Sequence, residues 1–185
     1  DVISKIKHLN IKLICLNIND SNGAGHARNI GLQKAIGKWV FFADADDTYC
    51  DSLSKWLDFF LNKNEDVIYF NYSIIKNEKI NDKVCKYIEE DKCDVFGLKY
   101  KVTVPWNKII KKKFIDQYNI RFEETPVGND ILFTYQVGYH SKSNFSFIDK
   151  PLYYYHINGS SIIHKKKNNE IYYLTLCKHI FQIKS

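Results

Sequence analysis

Methionine is absent from the 185 residues, no two cysteines stand in a CxxC pair, and no apolar run approaches a membrane span. The missing CxxC pairs argue against a zinc site. The five cysteines, Cys15, Cys50, Cys85, Cys93 and Cys177, are odd in number and fit a reduced, cytoplasmic setting better than a disulfide framework. Cys15 and Cys177 lie in apolar runs, where thiols are commonly buried. The first residues lack the continuous apolar stretch of a signal peptide. Repeats, low-complexity linkers and composition breaks are also missing, so the chain reads as one domain. It opens on Asp1 rather than Met, which suggests part of something longer.

Apolar residues make up 45% of the chain and charged residues 26%, an ordinary globular composition of a size that can bury a core. The formal net charge of +6 favours acidic partners such as nucleotides or an anionic membrane surface. It does not indicate nucleic acid: Lys111 to Lys113 and Lys165 to Lys167 lack interleaved aromatics or arginines and read as solvated surface.

Periodicity divides the chain into alternating elements. DVISKIKHL (residues 1–9) has one apolar helical face, and Ile11 to Ile18 reads as a strand. A polar turn leads to a helix over Ala27 to Ile36, stopped by Gly37, and Trp39 to Ala43 is the next strand. Strand, helix and strand predict a right-handed βαβ unit. Asp51 to Leu61 reads as an amphipathic helix capped by Asp51 or Ser52, and Val67 to Ile75 as a strand. Trp106 to Tyr118 holds a short strand or turn and a Lys-rich helix, and Asp130 to Tyr139 another helix. Asn144 to Ile148 and Pro151 to His156 are strand pieces, and Glu170 to Ile183 is a terminal helix. The class is α/β.

Two stretches carry chemistry. DADD (Asp44 to Asp47) closes the apolar run WVFFA, and ligands of open α/β sheets gather beyond the carboxyl ends of strands. Three carboxylates within four residues repel one another. A hard divalent cation, Mg²⁺ or Mn²⁺, would offset the repulsion and bridge to phosphates; a solvated acidic turn is the plain alternative. Upstream, NGAGHARNIGLQKAIGKW sets Gly23 and Gly25 in a tight turn and Arg28 and Asn29 at a helix start, where amides and dipole favour anions. An anion site and a cation site facing one crevice suit a metal–diphosphate ligand.

NGAGHARNIGLQKAIGKWVFFADADD resembles the central segment of family 2 glycosyltransferases with the GT-A fold. PWNKIIKKKFI (Pro105 to Ile115) is similar to that family's Trp-Asn-Lys segment. VGNDILFTYQ and FIDKPLYYYHINGSSI resemble its Glu-Asp-x-x-Phe helix and Pro-Leu-Tyr-x-Tyr strand. The match spans roughly residues 1 to 162. The resemblance implies a GT-A, Rossmann-like mixed sheet flanked by helices, in a single domain. Residues 1–50 would serve nucleotide and metal, 51–162 the acceptor side, and 163–185 would form a C-terminal helix.

The resemblance also implies roles. Asp46 would be the main ligand of Mn²⁺ or Mg²⁺, with Asp47 as near alternative. Asp44 would meet the ribose or the metal through water. Gly23, Arg28 and Asn29 would border the nucleotide-sugar, and Asp130 would be the general base of an inverting transfer. Trp106, Asn107 and Asn129 would line the acceptor or sugar pocket, although Trp106 suits core packing equally well. His156 and His164 are weaker candidates for a third metal ligand. The implied partners are a nucleotide-sugar donor and a saccharide or lipid-linked acceptor of bacterial polysaccharide synthesis, at the inner face of the membrane. Peripheral membrane contact and a homodimer are both compatible with this.

Two departures stand out. Asn129 replaces the family's Glu before the catalytic Asp. The front of the family fold, a strand, a helix and a second strand, has no counterpart. In the family's sheet those strands lie between Ile11–Ile18 and Trp39–Ala43, so a fragment, or a gap filled by another copy, is expected. A non-catalytic remnant that binds a partner and a metal-dependent phosphohydrolase remain the alternatives.

Overall fold

The computed structural model describes residues 12–17, 23–76, 79–81, 88–89, 92–93, 97–125 and 127–157. The helices expected over residues 1–9 and Glu170 to Ile183, together with His164 and Cys177, lie outside these.

Helix α1 (Ala24–Lys34) precedes β1 (Trp39–Val40), β2 (Thr48–Tyr49) and α2 (Leu53–Leu61). β3 (Val67–Lys76), β4 (Lys79–Asn81), β5 (Ile88–Glu89) and β6 (Lys92–Cys93) follow. A π-helical turn (Gly97–Lys101), β7 (Lys108–Lys111), α3 (Lys112–Gln117), α4 (Ile131–Ser141) and β8 (Phe145–His156) complete the order. A six-stranded sheet runs β1-β7-β3-β8-β2, with β4 on β3, and β5 pairs with β6 apart from it. β3 and β8 are parallel, Val67 opposite Phe145; β1–β7, β3–β7 and β2–β8 are antiparallel. The expected mixed α/β sheet is present.

β3 explains the layering. Its first four residues are all buried, as befits a strand covered on both faces. Val67 and Tyr69 point into one core with Leu32 of α1, Phe114 of α3 and Phe133 and Val137 of α4. Ile68 and Phe70 point into the other with Phe60 of α2, Trp106, Leu152 and Tyr153. On the first face Phe122 and Phe133 stack at 3.9 Å, and the edge of Phe42 meets both rings.

Several expectations are corrected. Residues 12–17 form no strand, and all six are exposed, Leu13 at 57%. The βαβ unit is therefore not formed, and β1 pairs antiparallel with β7 instead. A strand needs a ladder partner for its amides, and no sheet strand takes up 12–17. Cys15 is exposed with this segment, not buried. α1 runs Ala24–Lys34 rather than Ala27 to Ile36, and the chain is already extended at Ala35, leaving Ile36 98% exposed, because it must turn to enter the sheet at Trp39. The expected Trp39 to Ala43 strand keeps ladder geometry only over Trp39–Val40. Ser52 precedes α2 without a side-chain cap bond; its hydroxyl lies 3.2 Å from Cys50 Sγ. The two pieces expected around Pro151 are one strand, β8, with irregular register opposite Phe70, Asn71 and Tyr72.

Candidate functional site

The acidic stretch is a tight turn. After β1 the chain leaves the sheet, and the Asp47 amide donates to the Asp44 carbonyl at 3.2 Å. Tyr49 anchors the far side, its hydroxyl donating to the Phe42 carbonyl at 2.6 Å. Beyond the turn β2 pairs with β8, Thr48 opposite Tyr154, which places the acidic turn beside Tyr153 and His156.

The three carboxylates have different surroundings, and the charges of Asp46 and Asp44 still add to the burial that pushes the Asp47 carboxyl up. Arg28 donates from one guanidinium nitrogen to Asp44 Oδ1 at 2.6 Å. Tyr153 donates its O–H to Asp47 Oδ2 at 2.8 Å, and the His156 amide donates to Asp47 Oδ1 at 2.8 Å. Burial pushes the Asp47 carboxyl up, and those two hydrogen bonds oppose the rise. The Tyr153 hydroxyl also accepts from the Asp44 amide at 3.1 Å, tying both ends of the turn to β8. Asp46 alone is exposed and makes no hydrogen bond or ion pair with a described residue.

Arg28 joins two distant parts of the chain. Its other terminal nitrogen donates to Asn129 Oδ1 at 2.9 Å, so one planar fork bridges the acidic turn and the start of α4. Asp130 occupies the N-cap of α4, yet its carboxylate makes no capping bond. Burial pushes the Asp130 carboxyl up; Arg28 and Lys108 pull it down, and Asp44 adds to the rise. The arrangement is a largely buried carboxylate without a salt bridge, beside an arginine and an acidic turn.

The remaining expected residues fall on both sides of this centre. Gly23 precedes α1 at φ 86°, a left-handed conformation suited to glycine. Gly25 presses against the chain before α4: a Cβ there would lie 2.0 Å from the Glu123 carbonyl oxygen. Asn29 is buried, and its amide exchanges two 2.9 Å hydrogen bonds with the Phe122 backbone. Its position is that of a clamp on α1. Trp106 is 5% exposed and stacks on Tyr153 at 4.5 Å and on Tyr155 at 5.7 Å; Asn107 is buried too. Both stand in the packing beneath the site. His156 presents its ring to the Thr48 hydroxyl at 3.1 Å.

Sequence reasoning missed Tyr153 and Lys108. Tyr153 is one of three tyrosines in a row, and only the β2–β8 register singles it out. Lys108 is fully buried. A signal existed, because Ile109 and Ile110 follow it in a short run that is apolar on both faces. Among the described residues no group of three His, Cys, Asp or Glu side chains converges as a metal site. No described helix is long and apolar enough to cross a membrane.

Residues 1–130 match the glycosyl transferase family 2 profile. The chain is 24% identical over 160 residues to EpsH of Bacillus subtilis (strain 168), named as a glycosyltransferase, covering 79% of this chain and 45% of EpsH. It is 35% identical over 78 residues to WfaP of Escherichia coli, a UDP-Glc:alpha-D-GlcNAc-diphosphoundecaprenol beta-1,3-glucosyltransferase, covering 42% of this chain and 30% of WfaP. The match thus spans less than half the length of either relative. Among solved structures, S. aureus TarS 1-349 in complex with UDP-GlcNAc superposes with a TM-score of 0.70 at 22% identity, covering 88% of this chain and 47% of TarS.

Proposed function

The chain belongs to glycosyl transferase family 2, and from that premise we propose that it transfers a sugar from a nucleotide-sugar donor to a saccharide or lipid-linked acceptor, with inversion and with a divalent cation. The observation that carries this reading is the Arg28 fork, which holds the acidic turn and the start of α4 around one centre. Residues 1–50 are assigned to donor and metal, and 51–162 to the acceptor side. TarS was solved with UDP-GlcNAc, and WfaP is named for UDP-Glc; both support a uridine diphosphate sugar as donor.

The donor set suits Mg²⁺ or Mn²⁺. Such ions use one or two carboxylates and take further oxygens from water and substrate phosphates. Asp46 supplies an uncommitted, exposed carboxylate, whereas Asp44 and Asp47 are already held by Arg28, Tyr153 and His156. Asp46 is therefore assigned as the protein ligand, and the bound cation would stabilise the departing nucleoside diphosphate. Asp44, fixed by Arg28, is assigned to the ribose. Arg28 contributes positive charge beside the diphosphate, with the free amides at the start of α1 behind it. Asp130 would take the proton of the acceptor hydroxyl as that oxygen attacks the anomeric carbon. Its burial favours the protonated form and so makes it a stronger base than an exposed carboxylate.

The test is calorimetric binding of UDP with and without Mn²⁺ to the native chain and to Asp46→Ala, with a transfer assay from UDP-sugars alongside. Mn²⁺-dependent binding lost in Asp46→Ala is expected. UDP binding equal in both proteins would overturn the metal assignment. Binding without any transfer would favour the partner-binding remnant, a reading to which Asn129 at the family's Glu position also points.

A further inference from the structure

The donor site as assigned gives Tyr153 no role, although this tyrosine bonds two of the three acidic residues in the turn. Tyr153 lies in β8, opposite Tyr72 of β3 on one side and Tyr49 of β2 on the other. Its side chain is fully buried. Trp106 stacks on the ring at 4.5 Å with the planes 10° apart, and the Tyr49 ring meets it edge-on at 5.1 Å and 80°. A side chain held between two strands and against two aromatic rings has little freedom. Its hydroxyl is therefore a fixed point.

A phenol hydroxyl offers one donor and two acceptor lone pairs. Tyr153 directs both functions at the acidic turn: it donates to Asp47 Oδ2 at 2.8 Å and accepts from the Asp44 amide at 3.1 Å. The turn's own hydrogen bond joins the same two residues, Asp47 amide to Asp44 carbonyl at 3.2 Å. One phenol oxygen thus closes the turn a second time, from the side of the sheet. The His156 amide, also on β8, takes the other carboxylate oxygen, Asp47 Oδ1, at 2.8 Å. Both oxygens of Asp47 are then engaged. The residues between the two tied ends, Ala45 and Asp46, are exposed.

We propose that Tyr153 is a positioning residue: its hydroxyl holds the acidic turn in the conformation that presents the Asp46 carboxylate to a divalent cation, with Asp47 as the clasp of the turn on β8 rather than a ligand. The proposal rests on Asp46 as the ligand of that cation. Mg²⁺ demands near-ideal octahedral geometry, so the direction in which a single carboxylate points matters. Groups that orient a ligating carboxylate without touching the ion contribute strongly to metal affinity. Tyr153 acts in this way, through the turn.

The test compares Tyr153→Phe with Tyr49→Phe in the full chain. Each removes one hydroxyl and keeps the ring, and the Tyr49 hydroxyl donates to the Phe42 carbonyl instead of a carboxylate. UDP binding is measured by calorimetry across a series of Mn²⁺ concentrations. The Mn²⁺ concentration for half-maximal UDP binding should rise about tenfold or more in Tyr153→Phe, with UDP affinity at saturating Mn²⁺ close to native. Tyr49→Phe should stay near the native requirement. In the metal-free chain, amide hydrogen exchange followed by NMR should speed up at Asp44 in Tyr153→Phe, because that amide loses its acceptor. An unchanged Mn²⁺ requirement, or unchanged Asp44 exchange, would overturn the proposal and leave Tyr153 as packing alone. An equal rise in both variants would overturn it too, since general loosening would then explain the effect. Asp47→Asn keeps an acceptor for the His156 amide and removes the one for the Tyr153 hydroxyl. It should raise the Mn²⁺ requirement to a similar extent, and it decides if Tyr153→Phe does not fold. No rise there, or loss of all Mn²⁺ dependence as in Asp46→Ala, would overturn the role of Asp47 as clasp. Native Mn²⁺ dependence in Asp46→Ala would instead overturn the metal assignment itself, whatever Tyr153→Phe does, so the two failures are distinguishable.

Discussion

A single side chain can oppose folding from within the core, and Lys108 is the case here. Burial pushes Lys108 down to about 7, whereas an unfolded chain titrates its lysines near 10.4, roughly the usual value. Below the folded value Lys108 is charged in both states, and the folded protein carries the full burial penalty. Between the two values the unfolded chain binds the extra proton, so this group makes stability rise with pH across that window. Lys108→Met should therefore stabilise the fold at pH 6.5 by about 1–4 kcal/mol, with the gain shrinking towards pH 10. Urea unfolding at a series of pH values checks this. A pH-independent effect, or a loss, would show that the Val104 hydrogen bond outweighs the buried charge. Other residues show what the sequence made legible. The acidic turn was readable because like charges at the end of an apolar run demand compensation. The division of labour within it was not, because Arg28, Tyr153 and the His156 amide arrive from 16 to 109 positions away. Trp106 was ambiguous for a related reason: its sandwich with Tyr153 and Tyr155 depends on which strands become neighbours.

At the scale of elements, α1 shows how close packing builds the site. Gly25 lies so near the chain before α4 that a methyl group would meet the Glu123 carbonyl at 2.0 Å and Asn129 Cβ at 3.0 Å. Gly25→Ala should lower stability by about 1–3 kcal/mol, since overpacking a rigid contact moves backbone. It should also weaken UDP binding by displacing Asn129 from Arg28. Gly31, two turns on, has nothing within 4 Å of its would-be Cβ. Gly31→Ala should instead stabilise the helix by up to about 1 kcal/mol. Thermal unfolding of the pair measures the contrast, and equal effects would refute the close approach. Elements were well read where pattern and pairing agree: β3, β7, α3 and α4 stand close to where periodicity placed them. Residues 12–17 failed because an apolar run records a preference to be buried and paired, not the presence of a partner. The same limit hid the antiparallel β1–β7 contact, which no local pattern encodes.

For the whole molecule, the decisive connection is the one Arg28 makes between sequence regions 16 and 101 residues away. The acidic turn is otherwise held by β8, and Asp130 by α4; the guanidinium fixes one to the other. Lysine at this position would keep the charge but not the planar fork, and could not serve both acceptors in the same geometry. Arg28→Lys should cost about 1–3 kcal/mol of stability through the unpaired Asp44 or Asn129 group. Its larger effect should be on binding, because the acidic turn and the start of α4 lose their common reference. UDP affinity in the presence of Mn²⁺ should fall about tenfold or more, equivalent to roughly 1.4 kcal/mol. A double-mutant cycle with Asn129→Ala separates the two arms. If the fork acts as one unit, the second substitution should add little once the first is made, a coupling of about 0.5–3 kcal/mol. Strict additivity in UDP binding would mean that Arg28 acts only as a charge near Asp44, and that the start of α4 is oriented by its own packing without it.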